Sequence, residues 1–383
     1  MSVTTPKGFR AAGVTAGLKA SGRPDVALVV NDGPDHHAAA VFTGNRVEAA
    51  PVTWSRTAVA DRRADAVLLN SGGANACTGA PGFHDTHRTA EHVGAALGIA
   101  PGDVVVCSTG LIGERLPMDL LLNGIDAAAA GLASDGGPAA AVAIMTTDTV
   151  AKTAVAVREG WSVGGMAKGA GMLAPALATM LVVVTTDAVV DGPGLDDVLR
   201  AATATTFDRV DSDGCMSTND TVVLLASGAS GVAVGRDHLA HAVTEVCASL
   251  ARQLVADAEG AHHDIAVEVR SAASVDDALE VARSVARNNL FKCAVFGNDP
   301  NWGRVLAAIG TTDATFDPYA VDVHFNGVRV CHAGEPDRPR EEVDLSPRAT
   351  SIVIDLFAGD ASATIRTNDL THDYVHENSA YAS

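Results

Sequence analysis

Short runs of β-branched and aliphatic residues, separated by longer amphipathic stretches, restrict this chain to a layered fold. Residues 26–30, 66–69, 104–107, 153–157, 180–185, 221–226 and 265–269 read as strands. Residues 84–97, 118–133, 195–206, 238–258 and 275–287 read as helices. Strands alternating with helices bury their apolar faces by packing in layers, so the expected fold class is α/β, an α+β layered sandwich. The clearest helix is 238–258, where Leu239, Val243, Val246, Leu250 and Leu254 recur at three- and four-residue steps as one apolar stripe. It ends at Glu259-Gly260, with glycine where a helix C-cap favours it. A carboxylate in a last helical turn opposes the helix dipole at a cost of about 0.3–1 kcal/mol when exposed. Glu259 is therefore either a solvated residue that tolerates this cost or one that points into a site using its charge.

From about residue 272 the pattern changes to a helix, a loop and β-rich runs at 321–325, 328–331, 350–357 and 362–366, so a smaller α/β domain is expected over 272–383. The Ala/Gly-rich stretch 127–141 is the loosest part of the first half. At 383 residues the chain is long enough for two or three domains and for a large core without disulfides. Its formal net charge of −19 argues against nucleic acid or an anionic membrane as the main partner, since both require a basic footprint. The six cysteines form no CxxC pair and read as reduced, buried, small apolar residues. The first residues lack the apolar core of a signal peptide, and no apolar run approaches the ~20 residues that span a bilayer. A cytoplasmic protein is expected.

Four segments carry candidate chemistry. Gly164–Val184 runs from a glycine-rich segment holding Lys168, one of five lysines, through an apolar link with Pro175 to Thr179 and a β-like run. A threonine hydroxyl there can attack its own preceding carbonyl, and hydrolysis of the ester would leave Thr179 with a free α-amine. That amine, with an ordinary pKa of about 7.7–8, can act as the hydroxyl's general base. The alternatives are a buried threonine that merely opens a strand, and a phosphate-binding loop; GxxxxGK[ST] is absent. Cys107-Ser108-Thr109-Gly110 ends a strand with a hydroxyl and a glycine, which suits an oxyanion or an ordinary turn. Asn70–Gly79 reads as a ligand loop or a tight polar turn, and Met145–Thr149 as a carboxylate-binding hydroxyl cluster or a connector. The pairs His36-His37 and His262-His263 lack metal spacing and read as surface residues; HExxH, Cys/His ligand sets and GxSxG are absent.

Taken together, these motifs resemble the ornithine acetyltransferase family, the bifunctional glutamate N-acetyltransferases of arginine biosynthesis. The resemblance covers nearly the whole chain. It rests on Asn70–Gly79, Ser108-Thr109-Gly110, Met145–Thr149, Lys168-Gly169-Ala170-Gly171-Met172, Ala178-Thr179-Met180-Leu181, Asp299-Pro300-Asn301-Trp302-Gly303-Arg304 and Glu377-Asn378-Ser379-Ala380-Tyr381. It implies an N-terminal-nucleophile-type acyltransferase fold that cleaves itself between Ala178 and Thr179, giving an α chain 1–178 and a β chain 179–383. It also implies that Thr179 carries the acetyl group, and that Thr109 and Gly110 form the oxyanion hole. Thr147, with its neighbour Thr146 as the alternative, and Lys168, Thr179, Glu259, Asn378 and Ser383 match substrate-binding positions; relatives often end in threonine where this chain has Ser383. The implied reaction moves an acetyl group from N²-acetyl-L-ornithine to L-glutamate by ping-pong through acetyl-Thr179, in the cyclic arginine pathway. No cofactor or metal is implied, acetyl-CoA is left open as a second donor, and assembly is as an α₂β₂ heterotetramer. Asp299–Arg304 is expected to brace the fold. The rival reading is an N-terminal-nucleophile aminopeptidase or amidase on a related fold.

Overall fold

The computed structural model describes residues 2–174 and 180–380; Ala178, Thr179 and Ser383 lie outside the described residues. The chain divides into two compact units. Among the described residues, the first runs through Asp208 and includes Cys215–Asp257; the second combines Arg209–Gly214 with residues 258–380.

In chain order the first unit contains β1 (Phe9–Val14), β2 (Val26–Asn31), β3 (His37–Phe42), α1 (Ala50–Ala58), β4 (Ala66–Asn70), α2 (Gly79–Leu97), β5 (Val104–Ser108), α3 (Met118–Ala130) and α4 (Gly137–Ala143). There follow β6 (Lys152–Val157), β7 (Ser162–Lys168), β8 (Leu181–Thr186), α5 (Gly192–Thr205), β9 (Thr221–Ala226) and α6 (Arg236–Ala256). These strands form two sheets, ordered β1-β2-β4-β5 and β3-β9-β8-β7-β6. Successive side chains of a strand point to opposite faces, and the burial follows that period. Val29, Val67, Leu69, Val105 and Cys107 of one sheet share a core with Ala38, Ala40, Leu181, Val183, Val223 and Leu225 of the other. The alternate residues Val26, Leu28, Leu68, Val104 and Val106 pack instead on Leu121 and Ile125 of α3 and on Ala90 and Val93 of α2. α5 and α6 lie against the second sheet, on β3 and on β6 and β7. The unit is thus helix, sheet, sheet, helix, and strands buried on both faces explain the continuous apolar runs.

Two segments differ from the sequence reading. The Ala/Gly-rich stretch is not loose: α4 is wedged into the core with Ala140, Ala141 and Ala143 fully buried. Small residues are needed because the backbones nearly touch; a Cβ on Gly136 would fall 1.8 Å from the Ala11 carbonyl oxygen. The glycine-rich segment before Lys168 is no phosphate loop but the buried strand β7, antiparallel to β6 and β8. A Cβ on Gly164 would meet the Ser2 carbonyl at 2.3 Å, so glycine there serves close packing.

The second unit contains β10 (Asp264–Ala272), α7 (Val275–Ala286), α8 (Asn289–Phe296), α9 (Trp302–Ile309), β11 (Asp322–Phe325), β12 (Val328–His332), β13 (Glu335–Pro336), β14 (Ala349–Asp355), β15 (Ala361–Asn368) and α10 (His372–Ala380). The sheet order is β13-β12-β11-β14-β10-β15. The unit reaches back beyond residue 272 because β10 sits between β14 and β15 and supplies Val267 and Val269 to the core with Val281, Val285, Phe291 and Ile354. In Asp299–Arg304, the Asn301 side chain caps α9 by accepting from the Arg304 N–H, and Trp302 packs on the core. That segment braces the unit.

Candidate active site

β5 and β7 deliver the central groups of the first unit. β5 ends at Ser108, and the chain turns through Thr109 and Gly110 against the loop after β4. The Thr109 N–H donates to the Asn70 carbonyl, and the Gly73 N–H donates to the Thr109 carbonyl, both at 3.0 Å. Gly110 has φ +132°, and a Cβ there would lie 2.8 Å from Gly73 N, so no other residue fits this turn. Its own N–H donates to nothing among the described residues.

Lys168 closes β7, is 2% exposed, and its Nζ donates to Thr109 Oγ1 at 3.2 Å. A hydroxyl accepting from an ammonium keeps its own proton for another acceptor. Thr109 O–H and Gly110 N–H are therefore two adjacent donors with no described acceptor, suited to a developing negative charge. Asn219 fixes the platform: its amide donates to the Ser108 carbonyl at 2.8 Å and the Ala74 carbonyl at 2.6 Å. Asn70 also braces it, through the Ser108 hydroxyl at 2.6 Å, whereas Asn75 only holds a turn by donating to Gly82 and Thr86.

The 145–149 cluster holds a residue that sequence reasoning passed over. Asp148 accepts from the Gly169 N–H at 2.7 Å, the Thr146 N–H at 3.0 Å and Lys152 Nζ at 2.6 Å. Lys152 is fully buried and also pairs with Asp257, the C-cap residue just after α6. Burial pushes the Asp148 carboxyl up, but the charges of Lys168 and Lys152 and the Gly169 N–H outweigh it and hold the pKa at about 2. Thr147 is half-buried, and neither its N–H nor its hydroxyl has a partner among the described residues, whereas the Thr146 N–H is taken by Asp148.

Asp220 was likewise not singled out. It is fully buried and accepts from the Met180 N–H at 2.9 Å, one peptide bond from Thr179. Burial pushes its carboxyl well above the usual range, against the Met180 N–H and the charge of Lys168. Only its position before a strand signalled it; nothing local in sequence reports burial.

In the second unit Glu259 is 9% exposed and lines a cavity of about 160 Å³ with Asp213, Lys292, Asn368 and Tyr374. α6 ends at Ala256, so Glu259 follows the helix rather than ending it, and the expected dipole penalty does not arise. Asn378 lies on α10, exposed, with its amide donating to the Tyr374 carbonyl at 3.0 Å. Glu377 beside it is raised by burial and by the charge of Glu259. His263 is not a surface residue: it is buried, with Nδ1 2.7 Å from Asp369 and Nε2 2.9 Å from the Leu345 carbonyl. Of the cysteines, Cys107, Cys247 and Cys331 are buried as expected, but Cys77, Cys215 and Cys293 are exposed, and none of the six is in a disulfide. No described helix is long and apolar enough to cross a membrane.

Comparison with known proteins gives the same class of molecule. The ArgJ family matches residues 10–383. The Streptomyces coelicolor protein named arginine biosynthesis bifunctional protein ArgJ is 64% identical over 383 residues, covering 100% of both chains. A crystal structure of the arginine biosynthesis bifunctional protein from Bacillus halodurans is 33% identical with a TM-score of 0.50, covering 52% of this chain and 98% of its own. A Mycobacterium tuberculosis structure, described as ornithine acetyltransferase complexed with ornithine, is 55% identical with a TM-score of 0.45, covering 47% of this chain and 96% of its own. The chain is an acyltransferase enzyme of arginine biosynthesis on a layered α/β fold. It belongs to the ArgJ family.

Proposed function

We propose that the enzyme transfers the acetyl group of N²-acetyl-L-ornithine to L-glutamate through an acetyl-threonine at Thr179. The observation that carries this is the pair of donors at Thr109 and Gly110 that have no acceptor among the described residues, one of them bonded to the buried Lys168. Self-cleavage between Ala178 and Thr179 gives chains 1–178 and 179–383. Supporting this, the Bacillus halodurans chain is almost fully covered by about half of this one, the length expected of a processed product.

Thr179 Oγ attacks the acetyl carbonyl while its α-amine takes the hydroxyl proton. The oxyanion is held by the Thr109 hydroxyl and the Gly110 N–H. The C–N bond breaks, the ornithine amine takes the proton from the Thr179 ammonium, and L-ornithine leaves. The amine of L-glutamate then attacks acetyl-Thr179, giving a proton to the Thr179 α-amine; the acyl C–Oγ bond breaks, Oγ takes that proton back and N-acetyl-L-glutamate departs, so the kinetics are ping-pong. Lys168 meets the α-carboxylate common to both amino acids, and Thr147 supplies a hydroxyl. Glu259, Asn378 and Ser383 bind substrate, with Glu259 matched to the side-chain ammonium of ornithine. The processed chains assemble as α₂β₂.

Thr109→Ala is expected to slow both self-cleavage and acetyl transfer by about 10²–10³-fold, the usual loss for one oxyanion donor. Normal cleavage with slow transfer would show that the two steps do not share the donor. The direct assay is acetyl transfer from acetylornithine to glutamate, run beside acetyl-CoA as donor. Release of free acetate to water without transfer would favour the aminopeptidase or amidase reading and overturn this one.

A further inference from the structure

Lys19 lies in the loop between β1 and β2, far in sequence from every residue assigned above. The buried Asp25 carboxylate builds that loop by accepting from the N–H groups of Ala16 and Leu18 at 2.6 Å and of Lys19 at 3.1 Å. The Asp25 carbonyl in turn accepts from the Ser71 N–H, which ties the loop to the segment beside Gly73. Lys19 Nζ is thereby fixed against two backbone carbonyls, Met145 at 2.6 Å and Pro24 at 2.9 Å. Met145 stands two residues before Thr147, and Asp148, on the other side of Thr147, is bonded to Gly169, next to Lys168. One clamp on Thr147 is therefore Lys19, and the other leads to Lys168.

An ammonium has three protons, and Lys19 uses two. Among the described residues no carboxylate lies within ion-pair distance of it. The surrounding charges are those of Arg23, Asp25, Lys168 and Asp148. Asp25 is occupied by three backbone N–H groups, and Asp148 by Lys152, Gly169 and Thr146. Lys19 and Lys168 thus repel across the turn that presents Thr147. Like charges held together without a direct counter-ion on one of them are costly, and an anion placed between them removes the cost.

We propose that Lys19 is a second cation of the α-carboxylate site, answering one carboxylate oxygen of the amino-acid substrate while Lys168 answers the other. The inference rests on the proposed acetyl transfer, in which Lys168 meets that carboxylate. Burial, with the charges of Arg23 and Lys168, holds the Lys19 ammonium down to about 8. A bound carboxylate would raise it again and keep Lys19 charged in the complex.

The test compares kcat/KM of the processed enzyme for N²-acetylornithine and for its α-carboxamide, in the unaltered protein and in Lys19→Met, Lys19→Arg and Lys168→Met. Thermal melting confirms that each variant is folded. The acid is expected to be preferred, Lys19→Met to shrink that preference about tenfold, the worth of one charge-assisted hydrogen bond, and Lys19→Arg to restore most of it. An equal loss on both compounds, with the preference intact, would make Lys19 only a support for Met145 and overturn the inference. A preference lost in Lys168→Met but kept in Lys19→Met would overturn the role of Lys19 alone. No acetyl transfer, or no preference in the unaltered enzyme, would overturn the broader reading with it.

Discussion

Thr179→Ala is expected to give a single uncut polypeptide with acetyl transfer reduced by at least about 10⁴-fold, the scale of losing a catalytic nucleophile. The unaltered protein is expected to run on a denaturing gel as two bands of about 18 and about 21 kDa, at roughly 0.1 kDa per residue. Both effects share one cause. In the proposed mechanism the hydroxyl that adds to the Ala178 carbonyl is the one that later accepts the acetyl group, and the amine that serves as base exists only after cleavage. Thr179→Ser keeps the hydroxyl and is expected to process. An uncut Thr179→Ala protein with full transfer would place the nucleophile elsewhere.

The largest stability effect is expected at Asp148. Lys152 is fully buried and shared between Asp148 and Asp257, so Asp148→Ala leaves a buried ammonium with half its compensation and strands the Gly169 N–H. Breaking one partner of a buried ion pair costs about 3–5 kcal/mol, which in a unit of this size lowers the melting temperature by roughly 10 °C. The same group sets an acid limit. Its folded pKa of about 2 lies below its ordinary value of 3.8, so its contribution is complete above pH 4 and is lost as pH falls toward 2. Melting curves between pH 6 and pH 2 should show the unaltered protein converging on the variant. A constant gap across that range would refute the assignment of this charge.

Strands such as β4, β5 and β9 could be read from the sequence because they are buried on both faces and therefore apolar throughout. β7 and α4 could not, since glycine and alanine carry little pattern and owe their place to close backbone approach, as at Gly164 and Gly136. Thr109 and Lys168 stood out by residue type beside glycines, and the structure brings their side chains together. Asp148 and Asp220 did not stand out, and Lys19 did so only as one of five scarce lysines. Their significance comes from partners 21, 40 and 126 residues away, which local spacing does not report. His263 was misplaced on the surface for the same reason, its partner Asp369 being 106 residues distant. Glu259 was noticed through an apparent conflict with the helix dipole that vanished once the helix proved to end at Ala256.

The central claim is that a broken backbone turns Thr179 into both nucleophile and base. Intact-mass spectrometry of the purified protein, before and after brief exposure to N²-acetylornithine without glutamate, tests it most directly. The expected result is two polypeptides divided between Ala178 and Thr179, with only the second gaining the mass of one acetyl group and losing it when glutamate is added. A single unbroken chain that still passes acetyl groups to glutamate would contradict it.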